Sequence, residues 1–207
     1  MPSARQQKRP RLVLIIGPSG VGKSTLANRL AARWSKERGA MKPLISHTHA
    51  PHLTTADGAM VVLGRFVGRH PPIDGEKESM NGADRVVPGV GTRAVRVALR
   101  DWKRASVKLV LSDTIRPTIL NERTVDEAIA AGFAVEVLEL EHDLAVCRER
   151  CRRREGDALT PELAAKFEKT TGGWSAKAAK WKALKKAHYT FLTLSATAAF
   201  ERALRVD

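Results

Sequence analysis

The chain has 207 residues, 43% of them apolar and 28% charged, which suits one α/β domain with a sizeable core rather than two. Its 36 Lys+Arg against 22 Asp+Glu leave a net charge of +14, a property that bears on partners rather than on fold and points to an anionic polymer. Two cysteines, Cys147 and Cys151, argue against a disulfide framework; no apolar run reaches membrane-span length and the opening MPSARQQKRPR has no apolar stretch of an export signal, so a cytoplasmic protein is expected.

Residues 1–10 read as a basic disordered arm, and residues 11–207 as one domain. "RLVLIIG" is a continuous apolar run, as in a parallel strand buried on both faces. After the loop 17–24, "STLANRLAARWSKERG" predicts a helix closed by Gly39. "KPLISHT" and "MVVLGRFVG" predict short β segments, the second in a hairpin, and the Pro/Gly-rich stretch 69–89 a loop. "TRAVRVALRDWKRAS" predicts a helix from residue 92, "VKLVLSD" a buried strand, "TVDEAIAAG" a helix and "FAVEVLEL" another strand. Asp143 is expected to cap the helix "LAVCRERCRRR", with Cys147 and Cys151 on its core face. Thr160 and Pro161 open the next helix; a Lys-rich helix, the strand "HYTFLTLS" and a terminal helix follow. The alternation predicts an α/β fold with a mostly parallel sheet of about five strands flanked by helices.

Gly17-Pro18-Ser19-Gly20-Val21-Gly22-Lys23-Ser24 fits the pattern G-x-x-x-x-G-K-[ST] between a buried strand and an amphipathic helix. Glycines let such a loop turn its N–H groups inward on phosphate oxygens, at the positive end of the following helix. The pattern points to a nucleoside triphosphate, ATP or GTP, held by residues 17–25 through Thr25. Lys23 would reach the β- and γ-phosphates, and the Ser24 hydroxyl would take Mg²⁺. Asp113, at the carboxyl end of a buried strand, is a candidate to hold Mg²⁺ or to take a proton from an acceptor hydroxyl. His47, His49 and His52 in "HTHAPH" lack a nearby acidic or cysteine partner for a metal, and are expected to line the cleft.

"GPSGVGKSTL" resembles the opening of guanylate kinase, but no arginine stands between residues 39 and 64 and the single tyrosine is Tyr189, so that family's GMP site is not recognisable. A second resemblance covers more of the chain. "VVLGRF" (61–66) and "MNGADRV" (80–86) resemble the "vlGrY…cGGtD" segment of phage P-loop kinases, among them 5-hydroxymethyluracil DNA kinases. That resemblance implies a P-loop kinase fold with a lid near 148–160, ATP and Mg²⁺ as cofactors, and a DNA base hydroxymethyl as acceptor in an infected bacterial host. It also implies Asp84 as the carboxylate on the acceptor, with Asp113 as the alternative, and Arg148 and Arg152 as lid arginines that clamp the transferring phosphoryl group.

The charge is clustered: residues 1–11 carry +4, 85–104 carry +5, 148–154 carry +4 and 160–190 carry +5. Such a track suits a polymer, since each neutralised phosphate releases counterions. Arg93, Arg96, Arg100 and Arg104 fall on one helix face opposite Val95, Leu99 and Trp102, so Arg93, Arg96 and Arg100 are expected to touch DNA phosphates. The expectation is an ATP-dependent kinase acting on hydroxymethyluracil in DNA. The alternatives are a kinase for a free nucleotide or small molecule, and a DNA-binding NTPase.

Overall fold

The computed structural model describes residues 9–44, 52–63, 87–113, 122–156 and 160–205, with some positions, 87–94 and 113 among them, described by their backbone alone. The strands are β1 (Arg11–Ile16), β2 (Lys42–Leu44), β3 (His52–Thr54), β4 (Met60–Leu63), β5 (Leu109–Asp113), β6 (Ala134–Leu140) and β7 (Tyr189–Leu194). Among the described residues they form one sheet in the order β2-β3-β4-β5-β1-β6-β7. Strands β4, β5, β1, β6 and β7 are mutually parallel. The β3 strand runs antiparallel to both β4 and β2. The five-strand parallel sheet expected from the sequence is thus present, extended at one edge by a short antiparallel pair.

The helices are α1 (Lys23–Arg38), α2 (Val87–Arg104), α3 (Glu122–Ala130), α4 (Leu144–Glu155), α5 (Pro161–Gly172), α6 (Trp174–Lys182) and α7 (Ala196–Leu204). Because β1 is covered on both faces, its alternating side chains feed two cores. Leu12, Leu14 and Ile16 pack with Val95 and Leu99 of α2, Val125 and Ala128 of α3, and Trp174 and Ala178 of α6. Val13 and Ile15 pack with Leu26, Leu30 and Trp34 of α1 and with Ala199 and Ala203 of α7. Complete burial of a Leu or Ile side chain contributes about 1.5–3 kcal/mol, so the two cores fix the three layers. Helix α2 begins at Val87, five positions before the start expected at residue 92. Pro88 does not prevent this, since the first turn of a helix leaves its N–H groups without intrahelical partners anyway.

At the amino end of β1, Arg11 forms a two-pronged ion pair with the buried Glu136 of β6, at 2.7 and 3.0 Å. Arg202 of α7 joins the same carboxylate at 2.9 Å. Arg11 also donates to the backbone carbonyls of Arg202 and Arg205. Burial pushes the Glu136 carboxyl up, but the hydrogen bonds from Arg11 and Arg202 outweigh it and leave it below its ordinary value.

The opposite, carboxyl end of the sheet carries the features of interest. The chain leaving β1 winds towards β4, whereas the chain leaving β6 winds towards β7. The connections part above the β1–β6 pair, and such a parting is where open α/β sheets hold their ligands.

Candidate nucleotide site

The loop from Gly17 to Gly22 leaves β1 at this parting and enters α1 at Lys23. Gly20 (φ 83°) and Gly22 (φ 107°) lie in the left-handed region, which a side chain disfavours. Gly22 caps α1, which has no side-chain cap and no acidic residue in its first turn. The amino end of α1 thus presents its backbone N–H groups and positive dipole without a carboxylate against them. Lys23 is buried and donates from Nζ to the carbonyls of Gly17 (3.0 Å) and Pro18 (2.9 Å), so the ammonium lies against the loop. Ser24 is half-buried in the same turn, with Thr25 exposed beside it.

Asp113 enters the site by register: it pairs with Ile15 in the parallel ladder, two residues before Gly17. It stands two positions beyond Leu111, which packs under α1. The residues expected to hold phosphate and metal, Lys23, Ser24 and Asp113, are therefore on adjacent strand ends and one helix start. A hydroxyl and a carboxylate are the hard oxygen donors that suit Mg²⁺. Asp84 lies outside the described residues, as do His47 and His49.

Helix α4 forms the wall of the loop. Asp143 caps it as expected, accepting from Ala145 N (2.7 Å) and Val146 N (3.2 Å). Cys147 and Cys151 are free and buried, the core face expected for them. A Cβ on Gly20 would stand 2.2 Å from the Cys147 carbonyl oxygen and 3.0 Å from the Cys151 sulfur. The loop and the helix therefore touch backbone to backbone. Burial pushes the Cys147 thiol up, which keeps it protonated and unreactive.

The arginines of α4 divide by helix face. Arg148 lies 3.0 Å from Glu168 of α5. Arg152 pairs with Glu149 at 3.1 Å and Arg153 with the same carboxylate at 2.8 Å. Arg150, which the sequence reading passed over, is the arginine that reaches the loop: its Nη1 lies 3.5 Å from the Gly20 carbonyl. The expected lid arginines are thus anchored along a helix rooted on the loop. Residues 157–159, within the expected lid, lie outside the description.

Beside the loop, Glu139 of β6 pairs in register with Ile16. It accepts from Trp174 Nε1 (2.8 Å) and Thr193 Oγ1 (3.0 Å). His142 meets the Trp174 ring edge-on at 6.3 Å. None of these four residues was expected at the site; the two acidic residues, Glu136 and Glu139, in an otherwise apolar strand were the available signal.

On α2, Arg93 is described by its backbone alone. Arg96 is largely covered and forms an ion pair with Glu127 of α3 at 3.1 Å. That is a bond between helices, a different task from the DNA contact expected of it. Arg100 is exposed. His52, grouped with a cleft-lining loop in the sequence reading, is instead buried in β3, its ring 5.1 Å from that of Trp102. Among the described residues no group of three or more His, Cys, Asp or Glu could hold a metal ion, and no helix is long and apolar enough to cross a membrane.

A mostly parallel sheet with helices on both faces and a glycine-bracketed loop between β1 and α1 define the phosphate-loop class of α/β folds. No family model matches the chain, and no curated protein matches it. Among solved structures, the chain is similar to a sugar kinase from Janibacter sp. HTCC2649, at 18% identity over 95% of this chain and 94% of that one, with a TM-score of 0.41. It is similar to the protein APE1195 at 14% identity over 95% and 93%, TM-score 0.40. A gluconokinase from Sinorhizobium meliloti 1021 is similar at 16% identity over 96% and 91%, TM-score 0.37.

Proposed function

We propose that the chain is an ATP-dependent phosphotransferase with an alcohol acceptor, and that the acceptor is the hydroxymethyl group of 5-hydroxymethyluracil in DNA. The observation that carries the phosphotransferase reading is the Lys23 ammonium, buried against Gly17 and Pro18 at the start of a helix free of acidic residues in its first turn. A triphosphate entering the loop would offer this ammonium anionic oxygens, and charge-assisted bonds of that kind are about twice as strong as neutral ones. Loop N–H groups would hold the β-phosphate, and Arg150 is placed to meet charge developing at the loop's rim. Ser24 and Asp113 would hold Mg²⁺, which supplies charge neutralisation across the β- and γ-phosphates. A carboxylate, Asp84 or Asp113, would orient the acceptor hydroxyl and accept its proton late.

The DNA acceptor rests on the clustered positive charge and on the resemblance of 61–66 and 80–86 to the phage kinases. A second reading, transfer to a small free alcohol, is favoured by Arg96 being tied to Glu127, which takes one cation from the DNA-facing track. The test is incubation with γ-labelled ATP and hydroxymethyluracil DNA, plain DNA, free hydroxymethyl-deoxyuridine, or small polyols. Label on hydroxymethyluracil DNA alone supports the proposal. Equal labelling of the free nucleoside, or labelling of a polyol, replaces it with the second reading. ATP hydrolysis stimulated by DNA without transfer replaces it with an NTPase.

A further inference from the structure

We infer that α6 and the turn after it form a second binding surface, one that seats the helix against a groove of duplex nucleic acid and contacts the phosphates on both sides. Residues 169–200 contain six lysines and no Asp or Glu. In α6 the inward face is Trp174, Ala178 and Trp181. The outward crown is made of small residues, Ala176, Ala179 and Ala183, all exposed. At about 100° per residue, Lys177 and Lys180 stand on one flank of that crown and Lys182 on the other. Lys185 is exposed just beyond.

The neighbouring acids do not cancel this charge. Lys186 takes up Glu122 and Asp126 of α3 at 2.9 and 2.7 Å, and Arg96 takes up Glu127. No carboxylate among the described residues pairs with Lys177, Lys180, Lys182 or Lys185. The acidic helix α3 is thus neutralised between two basic helices, and α6 keeps its lysines for an outside partner.

The dimensions select the partner. A helix with its side chains is about 10–12 Å across, and the major groove of B-form DNA is about 12 Å wide. A crown of alanines lets the helix approach closely, while lysines on opposite flanks meet opposite phosphate strands. An anionic bilayer would ask for large apolar side chains on the crown to enter the acyl region, and α6 offers only alanine methyls there. Alanines also carry no donor or acceptor for base edges, so the surface reads phosphate and not sequence.

This surface is separate from the phosphotransfer reaction and holds whichever alcohol is the acceptor. The test is fluorescence anisotropy with a mixed-sequence 20-base-pair duplex across a salt series. The variant is Lys180→Ala with Lys182→Ala; the control with the same charge change is Lys36→Ala with Lys42→Ala, both exposed, the first on α1 and the second at the start of β2. The α6 pair is expected to weaken duplex binding by at least about tenfold near 100 mM salt and to flatten log K against log[salt] by about two units, at about 0.9 per phosphate lost. The control pair is expected to change affinity less than about threefold. An unchanged slope in the α6 pair, or equal flattening in the control, overturns the inference. So does equally tight, equally Lys180/Lys182-dependent binding to polyglutamate or phosphatidylserine vesicles. Affinity for a fluorescent ATP analogue, expected unchanged in both pairs, keeps this test apart from that of the nucleotide loop.

Discussion

The indole N–H of Trp174 donates to the Glu139 carboxylate across 2.8 Å, joining the residue that follows the α4–α5 hairpin to the strand that precedes it. His142, at the entrance to the hairpin, packs edge-on against the same indole. Both ends of a segment of two helices are therefore held at one point beside the phosphate loop. Trp174→Phe keeps most of the burial and removes the N–H, leaving a partly buried carboxylate with one donor fewer. The expected cost is about 1–3 kcal/mol. Hydrogen exchange should rise across 144–172 while β1 and β5 stay protected; uniform exchange over the whole chain would remove the clasp from the account.

Gly20 and Gly22 both have positive φ, but only Gly20 faces a wall. A Cβ there meets the Cys147 carbonyl at 2.2 Å, whereas one on Gly22 meets nothing within 4 Å. Gly22→Ala is expected to cost about 1–2 kcal/mol of backbone strain. Gly20→Ala adds a backbone clash, and is expected to melt at a clearly lower temperature and to lose binding of an ATP analogue. Equal melting temperatures for the two variants would show that α4 yields at no cost.

Lys23→Ala removes two hydrogen bonds to loop carbonyls and one ammonium. Melting should change little, since the bonds are made within the loop, while phosphoryl transfer is expected to fall by at least about a hundredfold. Transfer within a few-fold of wild type, measured with labelled ATP, would take the loop out of the mechanism.

Two arginines on one helix face should separate. Arg100→Ala is expected to flatten the salt dependence of DNA binding by about one unit, because the side chain is exposed. Arg96→Ala should leave the slope unchanged and lower stability, because its guanidinium bridges to Glu127. Salt titrations and melts of the two variants, compared directly, decide this.

Glu136 gives the fold a pH dependence of known sign. Its carboxyl lies below its ordinary value in the folded chain, so the native state binds fewer protons there than the unfolded state. The stabilisation is complete above the ordinary carboxylate range and is lost as pH falls through and below it. At neutral pH Glu136→Gln is expected to cost about 1.5–3 kcal/mol, the worth of hydrogen bonds to a charged group. In melts at successively lower pH the gap between wild type and variant should close; a gap that widens would contradict the assignment.

The parallel core was legible because β1, β5 and β6 are runs of residues buried on both faces, and the loop because its glycine spacing answers to one backbone shape. The antiparallel edge was legible in part: the segment expected at "KPLISHT" contains β2, and the hairpin expected at "MVVLGRFVG" is the antiparallel β3–β4 pair. The strand β3 itself was not, since its three residues are too few for a period to register and it buries a histidine. The site was legible where a residue acts from its own element, as Lys23 and Asp143 do. Arg150 was missed because the i, i+4 pairing of Arg148 with Arg152 drew the reading to one flank of α4. Arg150 stands on the other flank, next to the cysteines that rest on Gly20. The Glu139–Trp174 bond spans 35 positions, and no local pattern encodes a pairing of that length. Trp174 is a core residue, and its polar N–H requires a partner that only the packed sheet supplies.

Arg11 reaches the backbone of Arg202 and Arg205 across 191 and 194 positions. Positions 11 and 205 can therefore be joined by a short linker, and the chain reopened at the exposed Ala105–Ser106 turn between α2 and β5. The rewired polypeptide keeps every strand neighbour and both cores. It also frees Ser106 from a positive φ that its side chain disfavours. The order in which the elements are threaded is in this sense separable from the architecture they form, and a permuted chain that bound the same nucleotide would demonstrate it.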